Sequence, residues 1–396
     1  MRGPVLASAV LLLATCAVAF AEDDVPPRLV DLIKGPSQVE IPCRIEFPKP
    51  ELMFQQQYLL RIQGQFSYKQ IEMGTVRHLL VLVKVQNGEG DWLDGEDYVD
   101  YKIPEHLQQS DLAYAALVYV RPGKYRVNVA IFDTETLKAN VYHHDLTVPP
   151  LAKDPLPIID ELLPDAEFPP RTAATRSYRA FWVLTDRMLP IRLRSSAPMR
   201  LDIVLNITDR FGWYSPYHGD LEKMLALGSV LERFRPANGC VRLSVVDVLR
   251  LAVVADRLPV EKLSWTKLQE DIEKINQDVI DVHVLANQKR IAQFTHDYLQ
   301  SLATDKQGCA VENDAVPLVV VVSPDVVLPD GNKIGGMAPL PRESYVYLHL
   351  GIGGGWMDSM GEILSSGKAK KLRCLDPREF RGALAKITAM IGIPPK

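Results

Sequence analysis

Apolar positions along this chain follow two different rhythms. Between residues 36 and 148 they form runs of strand length: 38–47, 58–66, 79–85, 98–103, 112–120, 125–132 and 141–148. Turn chemistry separates the runs. Asn87-Gly88 and Asp94-Gly95 tolerate positive φ. Arg121-Pro122-Gly123 sets a tight turn, with Pro fixing its own φ and Gly free of a Cβ clash. The run after it alternates, placing Tyr125, Val127, Val129 and Ile131 on one face. Seven short strands in little more than a hundred residues predict an all-β unit. Seven prolines between 149 and 170 then predict a stiff connection, with a short helical turn at 158–163.

From about 178 the rhythm changes to strands alternating with helices, which predicts an α/β sheet. The stretch 199–210, MRLDIVLNITDR, is the centre of this half. Leu201, Ile203, Val204 and Leu205 suit a strand buried on both faces, and polar residues follow at once. Ligands of open α/β sheets sit outside the carboxyl ends of such strands. Met224, Leu227, Leu231 and Phe234 mark one face of a helix over 221–234. Strands at 240–248 and 250–255 lie so close that only an antiparallel hairpin joins them. Helices follow from Ser264, an N-cap residue, and over 286–303. Strands are predicted at 318–322, 345–350 and 371–375. The last helix opens with Asp376 as N-cap, Pro377 at N1 and Glu379 at N3.

Composition adds a compartment. The 396 residues carry a net charge of −4, which offers no basic field for nucleic acid. Arg2, the apolar run 5–18 and Ala19-Phe20-Ala21 have the form of a signal peptide cleaved after residue 21. That run is too short to span a membrane, and no later one is longer. Thr15 before Cys16 is a poor match to a lipid-attachment box, so a lipid anchor at Cys16 is disfavoured. Export makes disulfides possible among Cys43, Cys240, Cys309 and Cys374, and unpaired buried cysteines equally so.

The seven-strand unit has the arithmetic of an immunoglobulin-like sandwich. The order strand, helix, hairpin, two helices, strand, strand, helix, strand, helix over about 195–393 is similar to the von Willebrand factor A domain. The phrases APMRLDIVLNITD, VRLSVVDV and LDPREFRGALAKI also resemble uncharacterised exported proteins of soil bacteria. The expected organisation is therefore a signal peptide (1–21), an Ig-like β-sandwich (22–148), a Pro-rich linker (149–177) and a doubly wound A-type α/β domain (178–396). The resemblance implies an adhesion or scaffolding role.

That family holds a divalent cation through Asp-x-Ser-x-Ser after its first strand. The matching positions here are Asn206, Thr208 and Arg210, with Asp325 as a further candidate ligand, one residue out of register. Arg210 places a positive charge where the cation would lie, so the site reads as degenerate. Its guanidinium would replace the metal by pairing with Asp325 or Asp247. The same topology puts Cys240 and Cys309 at one end of the sheet as the candidate disulfide.

Other features yield less. His143-His144 on one strand point to opposite faces and do not share a metal. Gly351–Gly355 lacks the rest of a phosphate-binding motif, and Asn206-Ile207-Thr208 has the form of a sequon on a predicted central strand. No GxSxG, HExxH or SxxK stands in the chain. Asp209, Arg210, Phe211, Trp213, Tyr214 and Tyr217 form an aromatic segment beyond the central strand. With Ser323 across the sheet, they are the candidate partner contacts. The sequence thus predicts an exported, non-enzymatic protein-binding module without a cofactor. Metal-dependent adhesion and a hydrolase of unrecognised type are the alternatives.

Overall fold

A computed structural model describes residues 25–66, 77–103, 112–168, 191–193, 198–208, 219–236, 238–276, 288–305, 316–324, 326, 345–351, 358–365 and 368–390. After a short helix, α1 (Pro27–Leu32), come β1 (Gln38–Val39), β2 (Cys43–Glu46), β3 (Glu51–Leu52), β4 (Tyr58–Phe66), β5 (Arg77–Asn87), β6 (Asp97–Ile103), β7 (Leu112–Val120), β8 (Gly123–Asp133) and β9 (Ala139–Val148). Helix α2 (Ile158–Leu162) and strand β10 (Ala166–Glu167) follow. These strands form two antiparallel sheets, β1-β9-β8-β5-β6 and β10-β7-β4-β2, with β3 added on β4. Alternation decides which side chains go inward. Tyr125, Val127, Val129 and Ile131 of β8 meet Leu60, Ile62 and Phe66 of β4 between the sheets. Four of the intervening residues, Leu80 and Leu82 of β5 and Ala130 and Phe132 of β8, are apolar too, because α1 covers them. Leu29 and Ile33 bury Leu80, Leu82, Ala130 and Phe132 on the outer face.

The second half contains β11 (Ile191–Leu193), β12 (Met199–Asn206), α3 (Gly219–Arg233), β13 (Phe234–Pro236), β14 (Gly239–Asp247), β15 (Ala252–Pro259), α4 (Trp265–Asn276), α5 (Gln288–Thr304), β16 (Val316–Ser323), β17 (Tyr345–His349), α6 (Ser359–Ser365), β18 (Lys370–Arg373) and α7 (Pro377–Met390). The main sheet runs β15-β14-β12-β16-β17-β18 and is parallel except for the β14–β15 pair. All eight residues of β12 are buried, as befits a central strand covered on both faces. Helices α3, α4 and α7 supply Leu227, Trp265 and Phe380 to one face. Helices α5 and α6 supply Leu299 and Ile363 to the other.

The expected Ig-like sandwich plus separate doubly wound A-type domain is corrected here. Among the described residues strand outweighs helix, 45% against 28%, and the strands lie in four sheets. The two-stranded parallel sheet β11–β13 has no counterpart in the expected order. The halves are also not separate units. Phe54 from the sandwich side and Leu156, Ile159 and Leu163 from the proline-rich stretch share one core with Leu201 and Phe380. Strand β10, from the same stretch, pairs with β7. Prolines stiffen a chain, but apolar residues between them still need burial, and here neighbouring surfaces supply it.

Polar groups reinforce this junction. Arg381 of α7, its side chain 1% exposed, pairs with Asp154 and with Asp160 at 2.8 Å. Gln56 sits at φ 68° and its amide donates to the Phe54 and Pro377 carbonyls. At the end of α3, burial raises the Glu232 carboxyl to about 7, against the opposing pull of Arg235 and a hydrogen bond from Trp265. Burial likewise raises Glu167 of β10, where Arg233 and a hydrogen bond from Gln57 act in the opposite sense.

Candidate functional site

The carboxyl edge of the main sheet is where β12, β14, β16 and β17 all end in polar residues. Asn206 and Thr208 are 0% and 3% exposed, so neither faces solvent. The Asn206 amide donates to Ser323 Oγ at 2.9 Å, and the Ser323 hydroxyl donates to the Pro324 carbonyl at 2.8 Å. The Thr208 hydroxyl has one hydrogen and two acceptors in reach, Asn206 Oδ1 at 2.7 Å and Asp247 Oδ1 at 3.1 Å. It also accepts from the Val248 backbone N–H at 2.9 Å. Asp247, 0% exposed, accepts from the N–H groups of Leu249 and Arg250 at 3.1 Å each, and its second oxygen pairs with the Arg250 guanidinium. Three strand ends are thereby tied into one closed network.

This geometry revises the expectations for the edge. Ser323 is fully buried and bonded on both sides, so it is not a surface contact. The oxygens of Asn206 and Thr208 serve each other and Asp247. The salt link to Asp247 comes from Arg250, three residues along the same turn. Asp325 and residues 209–218, with Asp209, Arg210, Phe211, Trp213, Tyr214 and Tyr217, lie outside the described residues. Among the described residues no group of three or more His, Cys, Asp and Glu is placed to hold a metal. Cys240 is disulfide-bonded, and its partner lies outside the described residues, as does Cys309. Cys43 and Cys374 are free, and burial pushes both thiols up to about 12.

Two polar clusters escape a reading of apolar pattern alone. At the end of β17, His349 lies beside Ser323 in register, and its Nε2 is 3.7 Å from Asp358 Oδ2. Asp358 also accepts from Tyr347 Oη at 3.0 Å and Lys371 Nζ at 2.8 Å. Serine, histidine and acid are thus neighbours, yet the serine proton goes to a carbonyl instead of a base. At the opposite edge, Asp202 accepts from Arg242 at 2.6 Å and Arg200 at 2.9 Å, and Arg242 reaches Asp305 at 2.8 Å. This network clamps the end of α5 onto the sheet. Its trace in the sequence is a charge at alternate positions of an otherwise apolar strand, Arg200 and Asp202, which puts both on one face. His143 and His144 diverge: His143 bonds Asn128 and the Gly35 carbonyl, and His144 stacks on Phe47 at 4.2 Å.

No family model matches this chain. No curated protein matches it either. Among solved structures, a Northeast Structural Genomics Consortium target, SoR45, is 10% identical and aligns over 28% of this chain and 85% of its own, with a TM-score of 0.17. A glycosyl hydrolase family 2 member from Bacteroides cellulosilyticus DSM 14838 is 9% identical over 82% of this chain and 37% of its own, at 0.18. A putative β-galactosidase from Bacteroides fragilis is 7% identical over 78% of this chain and 41% of its own, at 0.19. This chain therefore spans well under half the length of the two hydrolase chains. Likeness at these TM-scores carries no conclusion about fold or activity.

Proposed function

We propose that this chain is an exported, non-enzymatic module that binds a protein partner at the carboxyl edge of its main sheet. The observation that carries this reading is the closed network of Asn206, Thr208, Asp247, Arg250 and Ser323. Its groups spend their hydrogen-bonding capacity on one another, which fixes the strand ends and so the point from which residues 209–218 depart. A rigid support of this kind suits recognition, since pre-ordered contacts lose less entropy on binding. Phe211, Trp213, Tyr214 and Tyr217 supply the aromatic content typical of interface anchors. The leader-like stretch 1–21 supports export.

The test replaces Phe211, Trp213, Tyr214 and Tyr217 together by Ser in the full chain and compares crosslinked partners in the producing cell. The expected outcome is one protein captured by the parent chain and lost from a variant with unchanged circular dichroism. Equal capture by both chains would sink the proposal. Release of a mature chain beginning at Glu22 is expected in the same samples, and N-terminal sequencing reads it.

A further inference from the structure

The outer face of the β1-β9-β8-β5-β6 sheet is not wholly covered by α1. Beyond Ile33 it opens into two adjoining concavities. One, of about 390 Å³, lies between the end of α1 and the sheet, against Lys34, Trp92 and His143. The other, of about 470 Å³, extends over the β5–β6 turn and the end of β9, against Glu89, Lys124 and Asp145. Gln86 and Arg126 line both, so the two adjoin across these side chains as one grooved surface. Each volume falls within the range of small-molecule sites.

The floor of the groove is fixed in advance. Asn128, 1% exposed, donates to Gln86 Oε1 at 3.3 Å and to the Arg126 carbonyl at 3.1 Å. Since that carbonyl only accepts, the amide cannot be reversed, and Oδ1 faces His143 Nδ1 at 2.6 Å. The other ring nitrogen meets the Gly35 carbonyl at 2.9 Å. Arg126 and Asp145 form a bidentate pair at 2.6 and 2.9 Å. The two parallel bonds set the planes of the pair, which is exposed and keeps hydrogen-bonding capacity beyond those two bonds. Trp92, half-buried and with Lys84 Nζ 5.9 Å from its ring, adds an aromatic surface at one end.

We propose that this groove, from Trp92 to Thr147, binds a neutral oligosaccharide. The donors Lys34, Lys124 and Arg126 and the acceptors Glu89 and Asp145 line it together. Such a mixture does not select for an anion, which needs donors alone. A sugar hydroxyl donates and accepts at once and satisfies both kinds of group. The C–H face of a pyranose ring is apolar and suits an indole, as other half-apolar groups do. A polar groove with one aromatic wall matches an alternation of hydroxyls and ring faces.

The experiment titrates the full chain with cellohexaose, xylohexaose and maltohexaose by calorimetry. At least one is expected to bind saturably. Trp92→Ala and Asp145→Ala are each expected to weaken that binding about tenfold, with Trp92→Phe retaining most of it as the control for folding. The proposal is overturned if none of the three binds at millimolar concentration. It is also overturned if binding is unchanged in both alanine variants, or if hexagalacturonate binds better than every neutral hexamer.

Discussion

Asp247 and Glu232 are both buried carboxyls, and they differ in the partners around them. Asp247 collects a hydroxyl, two backbone N–H groups and a guanidinium. Glu232 is held by a weaker set, and burial dominates, raising it from 4.5 to about 7. A raised carboxyl favours the protonated form in the folded state. Its contribution to stability is therefore present in full below about pH 4.5 and is lost as the pH climbs through about 7. In Glu232→Gln, whose amide mimics the neutral acid, that decline should vanish. Above pH 7 the variant should exceed the parent by up to about 3 kcal/mol in chemical denaturation. Identical slopes across pH 4 to 8 in the two chains would refute the assignment. The apolar rhythm gave no warning of Glu232, because a charged residue next to Leu231 on a helix normally faces water. Only the approach of Trp265 from elsewhere in the chain, with Arg235 three residues on as its ion-pair partner, goes with its burial.

At the scale of elements, the sequence was most informative where structure is local. Asp376 accepts from the N–H groups of Arg378 and Glu379 at 2.8 and 2.9 Å, and Glu379 reaches back to the Leu375 N–H at 2.9 Å. That start was legible in three residues, because a helix cap is satisfied by its own neighbours. Strands β4, β7 and β8 were legible for the same reason, since alternation states which faces are buried, whereas β12 also buries Arg200 and Asp202. Glycine 228 was not. Its place in the middle of α3 argues against a helix by propensity. The reason for it lies across the core, since a Cβ there would stand 2.8 and 3.0 Å from the Leu205 methyls and 3.3 Å from the Trp265 ring. Gly228→Ala should thus cost about 1–3 kcal/mol by overpacking, more than the gain of about 1 kcal/mol in helix propensity. Urea denaturation measures the net loss, and Leu205→Val in the same chain should recover part of it. A more stable Gly228→Ala chain would show that α3 can move off β12.

At the scale of the molecule, the seven prolines of 149–170 suggested a spacer and the structure shows a joint. Proline content speaks to backbone stiffness, whereas independence of two halves depends on where apolar residues end up. Leu156, Ile159 and Leu163 end up in the core under the main sheet. Arg381 is the polar centre of the joint, and removing it strands the carboxylates of Asp154 and Asp160. Arg381→Met should lower stability by about 3–5 kcal/mol. Scanning calorimetry should then resolve two transitions where the parent gives one. A single transition at an unchanged temperature would show that the apolar contacts alone hold the halves together.

The double loyalty of the stretch 150–167 bears on how such a protein can be inherited. Segments that recombine between genes carry inert borders, so that a cut harms neither side. Here a cut at residue 148 would strip β7 of its neighbour β10, and a cut at residue 168 would take Leu156, Ile159 and Leu163 from the core of the main sheet. The sandwich and the sheet are bound to travel as a pair, and a change on one side of the joint has to be matched on the other.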